Sequence, residues 1–282
     1  MQLTLDIDDC QRVITDALAE DLGDAGLAGD LTSVATIPPA ARFHGVMRAR
    51  HDMVIAGLPV AELAFRRLCP EMIFEPLVDD GMAVPADTVL ARLEGAALPL
   101  LAAERTALNL LQFLSGIATQ ARTYVDRLRG TNCVLLDTRK TVPGLRLLSK
   151  YAARCGGASN HRLGLYDAIL IKDNHVAVCG SVPAAVRRAR ATGRKKVEVE
   201  CDSLSQVEEA LAEGVDHLLL DNMPPLSLRT AVVLVAGRAK TEASGGVTLQ
   251  TIREIAESGV DYISVGRITQ SAPAVDIGLD WN

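Results

Sequence analysis

The sequence predicts an α/β protein in which a small β-rich domain is followed by a closed or nearly closed α/β barrel. Between residues 42 and 93, short apolar and β-rich pieces alternate with turns. After Gly130, a short apolar run is followed by an amphipathic stretch and a glycine, at least six times. Consecutive parallel strands need long return connections, so this rhythm predicts a parallel sheet. No G-x-G-x-x-G follows a predicted strand, which favours a barrel over a doubly wound dinucleotide fold.

The first part of the chain is predicted to hold three helices. Apolar side chains spaced at helical intervals predict a helix from Asp8 to Leu22, and the glycine-rich stretch GDAGLAGD predicts a loop after it. A second helix is predicted near Val60 to Leu68. A long helix, from Leu100 to Arg129 and broken at Ser115-Gly116, is predicted to connect the two domains.

The second part is predicted to alternate strands and helices. The predicted strands are the runs CVLLD, AILIK, KVEVEC, HLLLD, TEASG and YISVG. The helix candidates between them are VPAAVRRARATG, LSQVEEALAEG, LSLRTAVVLVAG and LQTIREIAESG, each of which ends in a glycine suited to a helix C-terminus.

Composition excludes several classes of function. The chain has 29 Lys plus Arg against 35 Asp plus Glu, a net charge of −6, and only 3% aromatic residues. Both features argue against nucleic-acid binding. The first residues do not resemble a signal peptide, and no apolar run approaches the roughly 20 residues of a membrane span. Six scattered cysteines contain no C-x-x-C pair. A cytoplasmic protein is therefore predicted.

Charged residues and glycines follow the predicted strands at the point where each strand ends. They are Asp137 with Arg139 and Lys140, Lys172 with Asp173, Glu200, Asp221, Ser244 to Gly246, and Gly266 with Arg267. A single member of this set could be a salt bridge or a helix cap. Because barrel active sites form at the carboxyl ends of the strands, the set as a whole predicts a site.

Many of these residues are cations, which predicts a polyanionic ligand. The cationic set is Arg139, Lys140, His161, Arg162 and Lys172, with Arg105 from the long helix. Arginine binds planar carboxylates and phosphates with two parallel hydrogen bonds. The Ser244-Gly245-Gly246 turn leads into a helix predicted to begin near Leu249, and the bare N–H groups of such a helix start can bind phosphate.

Two acids, Glu200 and Asp221, complete the predicted site. Carboxylates at strand ends can serve a divalent cation and sugar hydroxyls, and Mg²⁺ takes one or two carboxylates together with substrate phosphates. The residues alone thus predict a phosphorylated sugar and a metal, but they do not name the second substrate.

The stretch DTRKTVPGLRLLSKYAARCGGASNHRLGLYDAILIKDNHV, residues 137 to 176, closely resembles the signature region of the quinolinate phosphoribosyltransferases of NAD biosynthesis. The similarity extends to EDLG, GDLTS, AERTALNLLQFLSGIAT, VEVECDSL, LLLDNM, EASGGVTLQTI and GVDYISVG, essentially the whole chain. It implies an N-terminal α/β sandwich domain at residues 1–112, joined by the tail 269–282, and an open α/β barrel of about seven strands at residues 113–268. It also implies a homodimer.

The same resemblance implies roles for the site residues. Arg105 would cross to the neighbouring subunit's site, and Arg139, His161, Arg162 and Lys172 would bind the two carboxylates of quinolinate. Lys140 would contact phosphoribosyl pyrophosphate, whose ribose hydroxyls and Mg²⁺ would be held by Glu200 and Asp221. Ser244, Gly245 and Gly246 would hold its 5′-phosphate, next to Gly266 and Arg267. Lys140, Glu200 and Asp221 are the implied catalytic residues.

The chain departs from the family pattern at two places. The family often has G-A-L-T-H-S after the last strand, where this chain has Gly266-Arg267-Ile268-Thr269-Gln270-Ser271, and the loop after Leu22 carries an inserted DAGLA. Two alternatives stay open at this point. One is a transferase for nicotinate or another pyridine acid, and the other is a non-catalytic accessory protein like the relatives associated with molybdate transport.

Overall fold

The protein is described from a computed structural model, which covers residues 4–194 and 196–281. The described helices are α1 (Ile7–Leu22), α2 (Leu31–Thr36), α3 (Leu58–Leu68), α4 (Ala97–Arg127), α5 (Arg146–Cys155), α6 (Asp173–Cys179), α7 (Val182–Ala191), α8 (Leu204–Ala212), α9 (Pro225–Val235), α10 (Ile252–Ala256) and α11 (Arg267–Gln270), with a 3₁₀ segment at Gly23–Gly29. The described strands are β1 (Arg42–Ala49), β2 (Met53–Val54), β3 (Ile73–Pro76), β4 (Ala83–Val84), β5 (Val89–Ala96), β6 (Val134–Leu136), β7 (Ile169–Ile171), β8 (Val197–Cys201), β9 (His217–Asp221), β10 (Lys240–Ser244), β11 (Tyr262–Ser264) and β12 (Ile277–Trp281).

The chain forms two compact units. The first consists of Met1–Arg122, Thr141–Gly157 and Ile268–Asn282, and the second of Thr123–Lys140 and Ala158–Arg267. The outer ends of the predicted domain ranges, residues 1–3 and 282, lie outside the described residues. No helix among the described residues is long and apolar enough to cross a membrane.

The first unit contains a four-stranded antiparallel sheet in the order β12-β1-β5-β3 and a two-stranded sheet of β2 and β4. The tail strand β12 pairs with β1, so the last residues belong to this unit. The predicted helices α1 and α3 are confirmed. The glycine-rich stretch after α1 was predicted to be a loop, but residues Gly23–Gly29 form the 3₁₀ segment instead.

The predicted break in the long helix is wrong, because α4 runs without interruption. Ser115 and Gly116 are packing residues. The Ser115 hydroxyl accepts the Ala56 N–H at 3.0 Å, and a Cβ on Gly116 would stand 2.2 Å from the carbonyl oxygen of Pro273. A side chain at Gly116 would therefore collide with the C-terminal tail, which lies against the helix at this position within the first unit. A glycine in a helical pattern has such a packing reason as often as it marks an end.

The second unit is built on a parallel sheet in the order β6-β11-β10-β9-β8-β7. All six predicted strands are confirmed. Ser159 forms a parallel bridge with Leu136 on the free side of β6, which adds a seventh strand position. Among the described residues, β7 and the Ser159 segment are the two ends of this sheet, so the barrel is open.

Alternation along β8 explains how the sheet carries both a core and a site. Val197, Val199 and Cys201 are buried, and the elements in contact with β8 include α7 and α8. Successive side chains of a strand point to opposite faces, so Glu198 and Glu200 share the other face. These two glutamates stand in register with His217 and Leu219 of β9. The inner face of the sheet is thus lined by titratable side chains.

Candidate active site

A compact group of charges lies where β7, β8 and β9 end. The Lys172 ammonium donates to Glu200 Oε2 at 2.5 Å, and the Glu200 side chain is only 13% exposed. Burial raises the pKa of Asp221, and the neighbouring Glu200 carboxylate raises it further, whereas Lys172 and Lys140 act in the opposite direction. The structure therefore brings together four residues that the sequence predicted to converge.

Asn222 connects the ends of β9 and β10. Its backbone N–H donates to the Ser244 carbonyl at 2.8 Å, and its side-chain amide donates to Asp221 Oδ2 at 2.6 Å. Its φ angle is +54°, and Asn tolerates this left-handed region better than most residues. Sequence reasoning did not single out Asn222, although the Asp-Asn pair at a strand end is a signal for such a turn.

The turn after β10 requires glycine at position 245. Gly245 has a φ of +92°, and a Cβ at this position would stand 2.1 Å from Asn222 Oδ1. Gly246 follows with a φ of +61°. The helix after the turn begins at Ile252 rather than near Leu249 and is only five residues long, so the predicted phosphate site at a helix start is corrected. If this segment binds phosphate, the backbone N–H groups of the Gly245-Gly246 turn, and not a helix N-terminus, are the available donors.

Replacing Gly245 by alanine is expected to raise the KM for the phosphorylated sugar that the sequence predicts as substrate about 10-fold or more, because the new methyl group displaces the Asn222 amide that holds Asp221. Steady-state kinetics measure the change. Gly193→Ala, which also has a positive φ but no heavy atom within 4 Å of its added Cβ, is the matched control and should leave this KM unchanged. Equal effects of the two substitutions would contradict the expected contact with Asn222.

Lys140 lies beside Gly266. The Lys140 N–H donates to Thr138 Oγ1 at 3.0 Å, and a Cβ on Gly266 would stand 2.7 Å from Lys140 Cδ. Gly266 thus leaves room for the lysine stem at the end of β11. The next residue, Arg267, is exposed at the start of α11.

A fully buried carboxylate, Asp137, organises the segment that carries the other predicted cations. Asp137 follows β6, and its two oxygens accept the Asn160 side-chain amide at 2.6 Å and the His161 backbone N–H at 2.8 Å. Arg139 lies two residues beyond Asp137, and Arg162 one residue beyond His161. One carboxylate therefore ties together the two loops that carry these arginines.

Arg139 and Arg162 are close enough to repel each other. Burial lowers the pKa of the Arg162 guanidinium, and the charge of Arg139 lowers it further, while Glu198 acts in the opposite direction. The Arg162 Nη1 donates to the Ala168 carbonyl at 3.0 Å. Two neighbouring guanidiniums favour an anion between them, because each stabilises a carboxylate by charge-assisted hydrogen bonds.

His161 belongs to a buried cluster that the sequence did not predict, together with Glu198, His217 and Glu242. Its Nε2 lies 3.3 Å from Glu198 Oε1 and 3.5 Å from Glu242 Oε2. The His217 Nε2 lies 3.1 Å from Glu242 Oε2. Burial raises the pKa of Glu242, but the two imidazoles outweigh burial and the net shift is downward. The alternation of Glu198 with Glu200 was the available signal that both point inward.

His161 and Arg162 also line a cavity of about 710 Å³ in the second unit. Its other walls include Ile169, Val197, His217 and Lys240, the first residues of β7 to β10. The side chains of His161 and Arg162 thus border space at the amino ends of the strands. The Lys172–Glu200 pair lies at the opposite ends.

Arg105 is an exposed residue of α4 and belongs to the first unit. The second unit, taken by itself, therefore contains all the other predicted site residues and lacks this one. The structure describes one chain, so the role predicted for Arg105 in a neighbouring subunit stays a prediction.

Comparison with known proteins agrees with this arrangement. Residues 30–115 and 117–280 match the N-terminal and C-terminal domains of quinolinate phosphoribosyl transferase. The chain is 45% identical over 281 residues to the carboxylating nicotinate-nucleotide pyrophosphorylase of Mycobacterium leprae, covering 98% of each chain. It also resembles solved nicotinate-nucleotide pyrophosphorylases from Ehrlichia chaffeensis (TM-score 0.92, 40% identity, 96% and 98% coverage) and Francisella tularensis (0.94, 36%, 100% and 99%). The chain belongs to the quinolinate phosphoribosyltransferase family.

Proposed function

We propose that this chain is a quinolinate phosphoribosyltransferase that makes nicotinate mononucleotide for NAD biosynthesis. The pyridine nitrogen of quinolinate bonds to C1 of the ribose as the bond from C1 to pyrophosphate breaks and pyrophosphate leaves with its electron pair. The 2-carboxylate then leaves as carbon dioxide, the electron pair stays on ring carbon C2, and a proton from water replaces it. The observation that carries the proposal is the combination of family membership with the Lys172–Glu200–Asp221 charge group.

The carboxyl-end group is proposed to bind phosphoribosyl pyrophosphate. Lys140 meets its phosphates, Glu200 and Asp221 accept hydrogen bonds from the ribose hydroxyls, and the turn at Ser244, Gly245 and Gly246 receives the 5′-phosphate, with Gly266 and Arg267 next to it. Most of this work is positioning and charge stabilisation of the departing pyrophosphate, and no covalent nucleophile is needed.

Glu200 and Asp221 are also the proposed ligands of Mg²⁺. Their fit to a cation rests on their mutual repulsion, since Glu200 and burial together raise the pKa of Asp221. When bound, Mg²⁺ would neutralise charge on the pyrophosphate. EDTA is expected to abolish product formation, and added Mg²⁺ is expected to restore it.

Arg139, His161, Arg162 and Lys172 are proposed to form the quinolinate side of the site, because each of them follows the carboxyl end of a strand position, namely β6, Ser159 and β7. Quinolinate carries two adjacent carboxylates, and the repulsion between Arg139 and Arg162 fits a dianion better than a monocarboxylate. Arg105 is proposed to add a further cation from the neighbouring subunit of a homodimer.

A panel of pyridine acids separates this function from the related transferases. Purified protein is incubated with phosphoribosyl pyrophosphate, Mg²⁺ and one acid at a time, namely pyridine-2,3-dicarboxylate, pyridine-3-carboxylate or pyridine-2-carboxylate, and nucleotides are identified by mass spectrometry. Nicotinate mononucleotide is expected from the dicarboxylate, at a kcat/KM at least about 100-fold above either monocarboxylate. Preference for pyridine-3-carboxylate would contradict the proposal, and a protein without product would fit the accessory alternative.

A further inference from the structure

Glu198, Glu242 and His217 surround the His161 ring inside the second unit, and these three residues have no role in the proposed chemistry. The Glu242 side chain is 0% exposed, and those of His161 and Glu198 are 11% and 10% exposed. Burying two carboxylates is expensive unless each is paired or hydrogen-bonded. The free-energy cost of burying Glu198 and Glu242 therefore suggests that the two carboxylates have a functional role.

The hydrogen bonds of His161 fix its tautomer. The Arg162 backbone N–H donates to His161 Nδ1 at 2.7 Å, so Nδ1 carries no proton. The nearby carboxylates favour a charged ring and, against the effect of burial, raise the pKa of His161 to about 10. The geometry indicates a neutral ring, because a proton on Nδ1 would point at the proton of the Arg162 backbone N–H, whose nitrogen is 2.7 Å away. The remaining proton sits on Nε2 and points at Glu198 and Glu242.

Two further basic side chains, those of His217 and Arg162, lie near the carboxylates. Burial lowers the pKa of His217, but Glu242 and Glu198 outweigh burial and raise it overall. The His217 Nε2 and Glu242 Oε2 are 3.1 Å apart, yet neither atom has a partner with hydrogen-bond geometry. Glu198 thus bonds to His161 and also attracts the charge of Arg162.

We propose that Glu198 and Glu242 are positioning residues for the substrate site: Glu198 accepts the Nε2–H of His161, Glu242 attracts the same nitrogen from 3.5 Å, and together they fix the loop that places Arg162. Two sets of contacts hold His161. Its backbone N–H donates to Asp137 Oδ1, and its ring Nε2 lies beside Glu198 and Glu242. This inference rests on the proposed function and refines the role of His161. The imidazole acts through Arg162, whose guanidinium binds the substrate carboxylate.

Substitution at Glu242 tests this role. Glu242→Leu removes the carboxylate beside the His161 Nε2 at similar volume and is expected to raise the KM for quinolinate about 10-fold to 100-fold, with a much smaller change in the KM for phosphoribosyl pyrophosphate. Glu242→Gln keeps a side-chain oxygen of the same size beside this nitrogen and should stay within about 3-fold of wild type. Thr241→Val, the neighbouring residue on the other face of β10, loses hydrogen bonds to Asp261 and should leave both KM values unchanged.

Imidazole ¹⁵N NMR tests the tautomer independently of activity. The chain has five histidines, and His161 is assigned by the signal lost in His161→Asn. The wild-type ring is expected to be neutral with its proton on Nε2, in Glu242→Gln as well, and its Nε2–H signal should shift in Glu242→Leu. A charged ring or an Nδ1–H tautomer at neutral pH would overturn the inference.

Three further outcomes overturn it. One is a folded Glu242→Leu enzyme with an unchanged KM for quinolinate, and another is an equal rise of both KM values. The third is one tightly bound transition-metal ion per chain in purified wild type that Glu242→Leu loses, because these side chains would then be metal ligands. If wild type forms no product from quinolinate, the proposed function itself fails, and the inference fails with it.

Discussion

Lys140→Ala is expected to reduce kcat by about 100-fold to 1,000-fold, the usual effect of removing one group that stabilises charge developing in a transition state. Lys140 lies in the charge group at the strand ends, where it acts on Asp221, and its stem rests beside Gly266. Pyrophosphate gains negative charge as it leaves, so in the proposed role the Lys140 ammonium would stabilise the transition state more than the bound substrate. Initial rates at saturating quinolinate and phosphoribosyl pyrophosphate measure the effect.

Arg229→Ala is the control for this substitution. Arg229 is an exposed residue of α9, so this variant removes one positive charge from a solvent-facing helix position. Its kcat should remain within about 2-fold of wild type, since isolated surface charges have small effects. A Lys140→Ala enzyme with full kcat and a raised KM alone would contradict the role in the transition state and leave Lys140 as a binding residue.

A mixture of two inactive variants is expected to recover about a quarter of wild-type activity if Arg105 serves the neighbouring subunit. Arg105→Ala and Lys140→Ala homodimers each lack one group at both sites. Random pairing makes half of the dimers mixed, and each mixed dimer has one site with both groups intact. The variants are co-expressed with different tags. The unfractionated mixture is assayed first, and mixed dimers purified through both tags are then expected to have about half of wild-type activity, because one of their two sites is intact.

Absence of recovery in purified mixed dimers would contradict the crossing of Arg105. If Arg105 served its own chain, each site of a mixed dimer would lack either Arg105 or Lys140, and activity would stay at the level of the single variants. Arg67→Ala, which changes an exposed arginine in the last turn of α3, replaces Arg105→Ala in the control. Its homodimers should be active before mixing.

The sequence was informative about the second unit because its strands are buried and periodic. All six parallel strands were predicted, and Lys172, Glu200 and Asp221 were placed at one edge because parallel strands end together. Lys140 was predicted to belong to the same site because it follows β6. These predictions needed only the order of strands and helices.

The missed features depend on contacts between distant residues. Gly116 is packed against Pro273, which is distant in sequence, so the local pattern of α4 could not predict that this glycine is a packing residue. Glu242, His217 and Glu198 come from three strands, and only the register of the sheet brings their side chains together. The start of α10 shifted from Leu249 to Ile252 because Thr248 and Thr251 bond to each other in the preceding turn.

The site is proposed to join quinolinate to a phosphoribosyl group and to remove the 2-carboxylate. Quinolinate labelled in that carboxylate tests both steps at once, with carbon dioxide, pyrophosphate and nucleotide measured together. One labelled carbon dioxide and one pyrophosphate are expected for each unlabelled nicotinate mononucleotide, only when phosphoribosyl pyrophosphate is present, and all three products should be lost in Lys140→Ala. Label retained in the nucleotide, or carbon dioxide released without phosphoribosyl pyrophosphate, would contradict this proposal.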